Sequence, residues 1–266
     1  MLDKYSIKAT FFITGNNLGK GRIDDPSTPW PAILGRMYSS GHQLASHTWT
    51  HQDLTAVNAT IRQQQVVYNE MAFRNLFGFF PTYIRPPYAT CTSASGCLGD
   101  LTALGYHIVN FNIDTKDYLY NTADLIQTSK NTFSSAVSST SAGNAYIELS
   151  HDTQYQTAIN LTEHMITVAR SRGYRLVTVG ECLGDAKENW YRNAVTPVPT
   201  STTSTTTSST ASSPPAASTS LVVSTDGSCA AKSGNRYTCL GSTFGNCCSA
   251  YGNWSVISPP LLSPQE

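Results

Sequence analysis

Gln43-Leu44-Ala45-Ser46-His47-Thr48-Trp49-Thr50-His51 opens as a short strand-like run and ends on two histidines four residues apart. The run predicts a buried strand. The polar residues after it predict a site at the strand's C-terminal end, where parallel α/β folds place their chemistry. On a helical reading His47 and His51 share one face, within reach of one cation. Working outward, the strand at 42–47 is one of six strand-like runs, the others being 8–15, 83–86, 107–113, 145–151 and 175–179. Helical patterns at 58–78 and 157–172 lie between them. Ile61, Tyr68, Ala72 and Leu76 keep one face of the first, and Ala158, Leu161, Met165 and Val168 one face of the second. Gly173 then stands where a helix-ending glycine belongs. Strands alternating with helices predict βα units and a parallel sheet, open or barrel-like.

Composition bounds what such a chain does. Its 266 residues are 40% hydrophobic and 13% charged, with Lys+Arg and Asp+Glu both 17 and a formal net charge of zero. That balance excludes a basic nucleic-acid footprint and an acidic tail. No stretch approaches the roughly 18 apolar residues of a membrane span. Between Thr200 and Ser220, 16 of 21 residues are Ser or Thr, a composition that reads as an extended, O-glycosylated stalk. The predicted organisation is a large α/β domain over 1–190, a linker over 191–225, a small cysteine-bearing module over 226–254 and an unstructured tail over 255–266.

Cysteine usage points to an oxidising compartment. Of seven cysteines, Cys229, Cys239, Cys247 and Cys248 crowd the C-terminal end, Cys91 and Cys97 lie close together, and Cys182 stands alone. Adjacent Cys247-Cys248 fits the spaced pairs of a structural zinc site poorly, so disulfides are the better reading. Asn58, Asn160 and Asn253 head N-glycosylation sequons. Secretion calls for a signal peptide, yet Met1-Leu2-Asp3-Lys4-Tyr5 has no apolar h-region and a strand follows within a few residues. The expectation is a chain that opens in mid-fold, its front clipped.

Four motifs carry chemistry. The histidine pair is the first; Thr48 stands where a zincin peptidase needs its general-base Glu, which argues against a protease. Ile84-Arg85-Pro86-Pro87-Tyr88 is the second. Its prolines fix the backbone and leave the Tyr88 N–H as the first rigid donor, suited to an oxyanion, while Arg85 is suited to hold a carboxylate. In Asp114-Thr115-Lys116-Asp117-Tyr118, either aspartate could orient a histidine, or Asp117 could cap the next helix. Ile147-Glu148-Leu149-Ser150-His151-Asp152 ends a strand on His151, a candidate general acid. Taken singly, each has a bland reading as a turn, a cap or a structural histidine. Their order in one domain carries the argument.

In that order the motifs resemble the polysaccharide deacetylases of carbohydrate esterase family 4, with the NodB homology domain, most like fungal chitin deacetylases. Lys8-Ala9-Thr10-Phe11-Phe12 and Gly41-His42-Gln43-Leu44 match as well. The resemblance spans about residues 2–185. It implies a distorted (β/α) barrel and hydrolysis of the N-acetyl groups of N-acetylglucosamine units in chitin or chito-oligosaccharides. It implies a divalent cation, Zn2+ or another such as Co2+, with His47 and His51 as ligands. By the same match Arg85 orients the base, the Tyr88 N–H meets the oxyanion, and Asp114 orients and tunes His151, the acid. Tyr118 and Leu149 form the wall at the acetyl methyl. A secreted or cell-wall monomer is the expected setting.

The family's first motif, a Thr-Phe-Asp-Asp-Gly strand that supplies the base and a third metal ligand, precedes the segment at Lys8 and is not in this chain. Asp24-Asp25 follows the wrong strand to replace it. The expectation is a barrel without its first strand, weak metal binding and little turnover, with non-catalytic chitin binding as the alternative. Residues 226–254 resemble the hevein-like chitin-binding module, in which Ser249 would bond an N-acetyl group and Tyr251 stack on a sugar. By family pairing Cys229 joins Cys248. The module keeps only the first four of the family's eight cysteines, so it is expected to be marginal.

Overall fold

The structure, a computed structural model, describes residues 1–193 and, in a second unit, two short strands. Thr10-Phe11-Phe12-Ile13 forms β1 (Thr10–Ile13), which pairs in parallel with β2 (Gln43–Ser46) over four residues, from Thr10↔Gln43 to Ile13↔Ser46. The connection between them carries α1 (Trp30–Ser39), with Pro31 in its first turn, where a missing N–H is tolerated. All four residues of β2 are buried, as expected of a parallel strand covered on both faces. α2 (Ala59–Phe77) follows, capped by Asn58, whose side chain accepts from the Ile61 N–H at 2.9 Å. It stops at Gly78, whose φ of 76° is costly for any residue with a Cβ. β3 (Phe79–Pro81) and β4 (Tyr83–Ile84) come next, then α3 (Cys97–Ala103) and β5 (His107–Ile108). β1, β2, β4 and β5 make one parallel sheet in that order.

The remaining strands pair off separately. β6 (Ile113–Asp114) pairs in parallel with β7 (Glu148–Leu149), with α4 (Ile126–Ala136) between them in sequence. A π-helical turn, Thr157–Leu161, leads into α5 (Thr162–Ser171), and α6 (Val179–Cys182) is a single short turn. β8 (Tyr191–Asn193) runs antiparallel to β3. The sequence reading placed 191–193 in the linker; their pairing with Phe79, Phe80 and Pro81 puts them in the domain. The first compact unit runs Met1–Val195.

The fold is mixed α/β, but the ladder does not close into a barrel among the described residues. The strand expected at 107–113 breaks after Ile108, and pairing resumes only at Ile113. The expected strand at 175–179 is irregular. There Thr178 and Glu181 form a capping box that starts α6 instead.

Apolar clusters among the described residues hold the unit. One packs Leu34 of α1 and Phe73 of α2 onto Leu44 of β2. A second sets Ala45 and Tyr83 against Trp190. A third joins Ile113, Phe133 and Met165 under β6, α4 and α5. Burying a side chain such as Leu44 contributes roughly 2 kcal/mol. No helix among the described residues is long and apolar enough to cross a membrane. In the second unit β9 (Val222–Val223) pairs in parallel with β10 (Tyr237–Thr238). Cys229, Cys248, Ser249 and Tyr251 lie outside the described residues.

Candidate active site

The C-terminal end of β2 delivers His47. Its Nδ1 lies 2.6 Å from the Arg85 carbonyl oxygen, which only accepts, so Nδ1 carries the proton and Nε2 keeps its lone pair. Burial pushes the His47 imidazole down to about 3, and the positive fields of His51, Arg85 and His151 add to that. His51 is lowered too, by burial and then by His151. The two rings meet edge to face with centroids 4.7 Å apart.

The pair does not sit on a helix, as the sequence reading had it. Thr48 and His51 both hold left-handed backbone, at φ 71° and 61°, and this folds the segment back on itself. For a β-branched residue such as Thr48 that geometry is strained. It persists because polar partners over-determine the loop. The Thr48 hydroxyl accepts from the His51 N–H at 3.2 Å, and the Gln65 side chain accepts from the Thr50 N–H at 2.8 Å. The Asn69 amide donates to the Ile13 carbonyl and the Ser46 hydroxyl, both at 2.9 Å. Gly15 leaves the room: a Cβ there would stand 2.0 Å from the Trp49 ring.

Arg85 follows β4 and is buried, its guanidinium 4.2 Å from the Phe12 ring centroid. Burial lowers it to about 10, and its Nε has no hydrogen-bond partner. Pro87–Ala89 form a 3-10 turn in which Tyr88 sits at φ 58°. The Tyr88 ring packs edge to face on His51 at 4.9 Å and is largely exposed. Just beyond, Cys91 and Cys97 form a disulfide.

The third and fourth motifs meet across β6 and β7. Asp117, fully buried, accepts from His151 Nδ1 at 2.8 Å, from the His151 backbone N–H at 2.6 Å and from the Thr157 hydroxyl at 2.7 Å. Burial alone would raise this carboxyl, but the bonds from His151 and Thr157 hold it below the usual range. In return the bond to Asp117 raises His151 against the opposing effect of its burial. The expectation that Asp114 orients His151 is therefore corrected. Asp114 is taken up by the Lys116 N–H at 2.9 Å and the Tyr118 hydroxyl at 3.2 Å, and acts on His151 only as a more distant negative charge. Lys116 turns through φ 53°, which carries Asp117 inward beneath the imidazole. Tyr118 packs edge to face on His151 at 5.4 Å, and Leu149 lies two residues before it on β7.

Comparison with known proteins gives the family. Residues 1–109 match the polysaccharide deacetylase family model. A chitin deacetylase of Colletotrichum lindemuthianum is 44% identical over 192 residues, covering 72% of this chain and 75% of that protein. The chain belongs to the polysaccharide deacetylase family. A chitin deacetylase of a Pestalotiopsis species is 37% identical, over 73% of this chain and 60% of that protein. The solved structure of the Colletotrichum lindemuthianum chitin deacetylase superposes with a TM-score of 0.68 at 43% identity, over 72% of this chain and 82% of that one.

A deacetylase of this family implies a divalent cation, and the donor chemistry can be tested against that. Two neutral imidazoles with one Nδ1 fixed on a carbonyl are what such a cation takes, and the carbonyl sets the tautomer. The pair would fill two ligand positions. Among the described residues no group of three His, Cys, Asp or Glu side chains is placed to hold a metal ion. Asp24 is committed elsewhere, to Arg22 at 3.0 and 2.8 Å and to Asn75 at 2.7 Å, which agrees with its exclusion on sequence grounds. One group beside the site had been given no role: Glu148 on β7, raised to about 7 by burial, with an unpartnered Oε1. A carboxylate one residue before Leu149 in a strand-end motif was its only sequence signal.

Proposed function

We propose that this chain carries a site for hydrolysing the N-acetyl groups of N-acetylglucosamine units in a chitin-type polysaccharide, with release of acetate, and that without the Asp-Asp motif it turns over little. The observation that carries the reading is His151, held by a buried carboxylate through Nδ1 beside a pair of neutral histidines. In amide hydrolysis the water oxygen joins the acetyl carbon, the C–N bond breaks, and its electron pair stays on nitrogen. An amine leaves poorly unless it takes a proton as it goes. His151 supplies that proton from Nε2, because Asp117 favours the imidazolium. The Tyr88 N–H, held in the rigid turn after two prolines, faces the oxygen that gains charge. Tyr118 and Leu149 wall the acetyl methyl. His47 and His51 would hold the divalent cation, zinc or cobalt; when bound, it polarises the amide carbonyl and the attacking water. The water's proton needs a carboxylate base, which Arg85, with its unpaired Nε–H, would steady; none is assigned among the described residues, so little turnover is expected of this chain.

A second reading is glycan binding without turnover. It is favoured by the two-ligand count among the described residues, with Ser249 and Tyr251 as further sugar contacts. Acetate release from chitopentaose with added Zn2+, beside chitin co-sedimentation, separates the two. Release that disappears in His151→Gln supports hydrolysis; sedimentation with no release by the unaltered chain supports binding alone. The Cys91–Cys97 disulfide supports an extracellular or cell-wall setting.

A further inference from the structure

Tyr155 has no part in the chemistry above, yet its side chain is spent on solvent. It is 71% exposed, the most exposed aromatic residue in the described chain. Its position is fixed by the site. The Gln154 N–H donates to the His151 carbonyl at 3.0 Å, closing a turn directly after the acid. A turn brings its end residues within about 7 Å, and one further residue adds about 3.8 Å, so the Tyr155 Cα lies within about 11 Å of the His151 Cα. The turn is tied in place: the Asn121 amide donates to the Gln154 side-chain oxygen at 2.9 Å. That bond joins the loop carrying Tyr155 to the loop carrying Tyr118, which rests on His151.

The chemistry around the ring is selective. Gln154 and Gln156 flank it, Asn121 reaches Gln154, and Asn160 donates to Gln156. An exposed aromatic face whose chain neighbours are neutral amides suits an uncharged sugar, with the C–H groups of a pyranose lying on the ring.

We infer that Tyr155 is a stacking platform for a sugar unit beyond the one that loses its acetyl group, making this site selective for longer N-acetylglucosamine chains. The inference rests on the proposed function for its substrate class. The test is calorimetric binding of chitobiose and chitopentaose to the full chain and to Tyr155→Ala and Tyr155→Phe, with acetate release measured in parallel. The unaltered chain should bind the pentamer more tightly than the dimer. Tyr155→Ala should weaken the pentamer roughly threefold to tenfold and leave the dimer unchanged, while Tyr155→Phe, which keeps the ring, stays near the unaltered value. An unchanged preference for the pentamer in Tyr155→Ala overturns the inference, even where acetate is released and the proposed function stands. Equal binding of both oligomers by the unaltered chain overturns it as well. Length-dependent binding that needs Tyr155, without acetate release, supports the platform and removes the hydrolytic reading.

Discussion

Asp117→Asn is the substitution that most directly tests the site. Asp117 takes two bonds on Oδ2, from the His151 N–H and the Thr157 hydroxyl, and one on Oδ1, from His151 Nδ1. An amide offers one oxygen. If it keeps the Oδ2 contacts, its NH2 group meets Nδ1–H donor to donor, and His151 must lose that proton or turn away. Losing a hydrogen bond to a charged group here should lower stability by about 1.5–3 kcal/mol. Loss of a positioned general acid should lower the rate of acetate release about 10²- to 10⁴-fold. The pH dependence has a definite sign. His151 is raised, so its share of the pair's stability is complete below the ordinary imidazole range and is lost as pH rises through the folded value. Asp117 is lowered, so its share is present above the ordinary carboxylate range and is lost as pH falls through its folded value. The stability gap between the unaltered chain and Asp117→Asn should therefore be widest between those ranges. Urea unfolding across pH measures it, and an NMR titration of the His151 ring measures its pKa directly. Asp117→Asn should lower that pKa more than Asp114→Asn does. A larger fall in Asp114→Asn, or an unshifted ring in Asp117→Asn, would refute the assignment.

Two further outcomes follow from the same geometry. Gly15→Ala puts a Cβ 2.0 Å from the Trp49 ring and 2.8 Å from Asn69 Oδ1, so the histidine loop must shift; thermal unfolding should show a loss of about 1–3 kcal/mol. His47 stays neutral down to about 3 in the folded chain but takes a proton near its ordinary value when unfolded, so below the imidazole range it costs about 1.4 kcal/mol of stability per pH unit as pH falls. His47→Asn should flatten that slope in acid unfolding curves, and an unchanged slope would place the depression elsewhere.

The motif order was legible because each motif is local: a strand end, a few fixed residues and a turn. What joins the motifs was not. Asp114 and Asp117 both follow the same strand, and nothing in their spacing says which turns inward. Thr157, forty residues along the chain, decides it by donating to Asp117. The histidine spacing reads as a helical face because four residues make about one turn, yet two left-handed residues bring the rings together by another route. At 175–179 the alternation outweighed a legible signal, the Thr178…Glu181 capping box. Barrel closure is a property of ladders between strands distant in sequence, so it was the least readable feature of all.

The polar residues buried around β2 explain why such a site needs so large a scaffold. Gln43, Ser46, Thr48, Gln65 and Asn69 are all buried, and a core built for stability alone would place apolar side chains there. Their bonds have a shared destination. Gln43 Oε1 accepts from the Thr10 hydroxyl at 2.7 Å and the Gly180 N–H at 2.9 Å, locking β1 and α6 to β2. Asn69 ties α2 to the ends of β1 and β2, and Gln65 and Thr48 hold the histidine loop. Left-handed backbone at a residue with a Cβ costs about 1–3 kcal/mol, and such residues recur at the site: Thr48, His51, Tyr88 and Lys116. They turn the histidine loop, the segment at Tyr88 and the segment that carries Asp117. A fold that spends its buried polar contacts on holding strained loops is organised around the chemistry at their tips, and the apolar clusters beneath supply the stability that lets it do so.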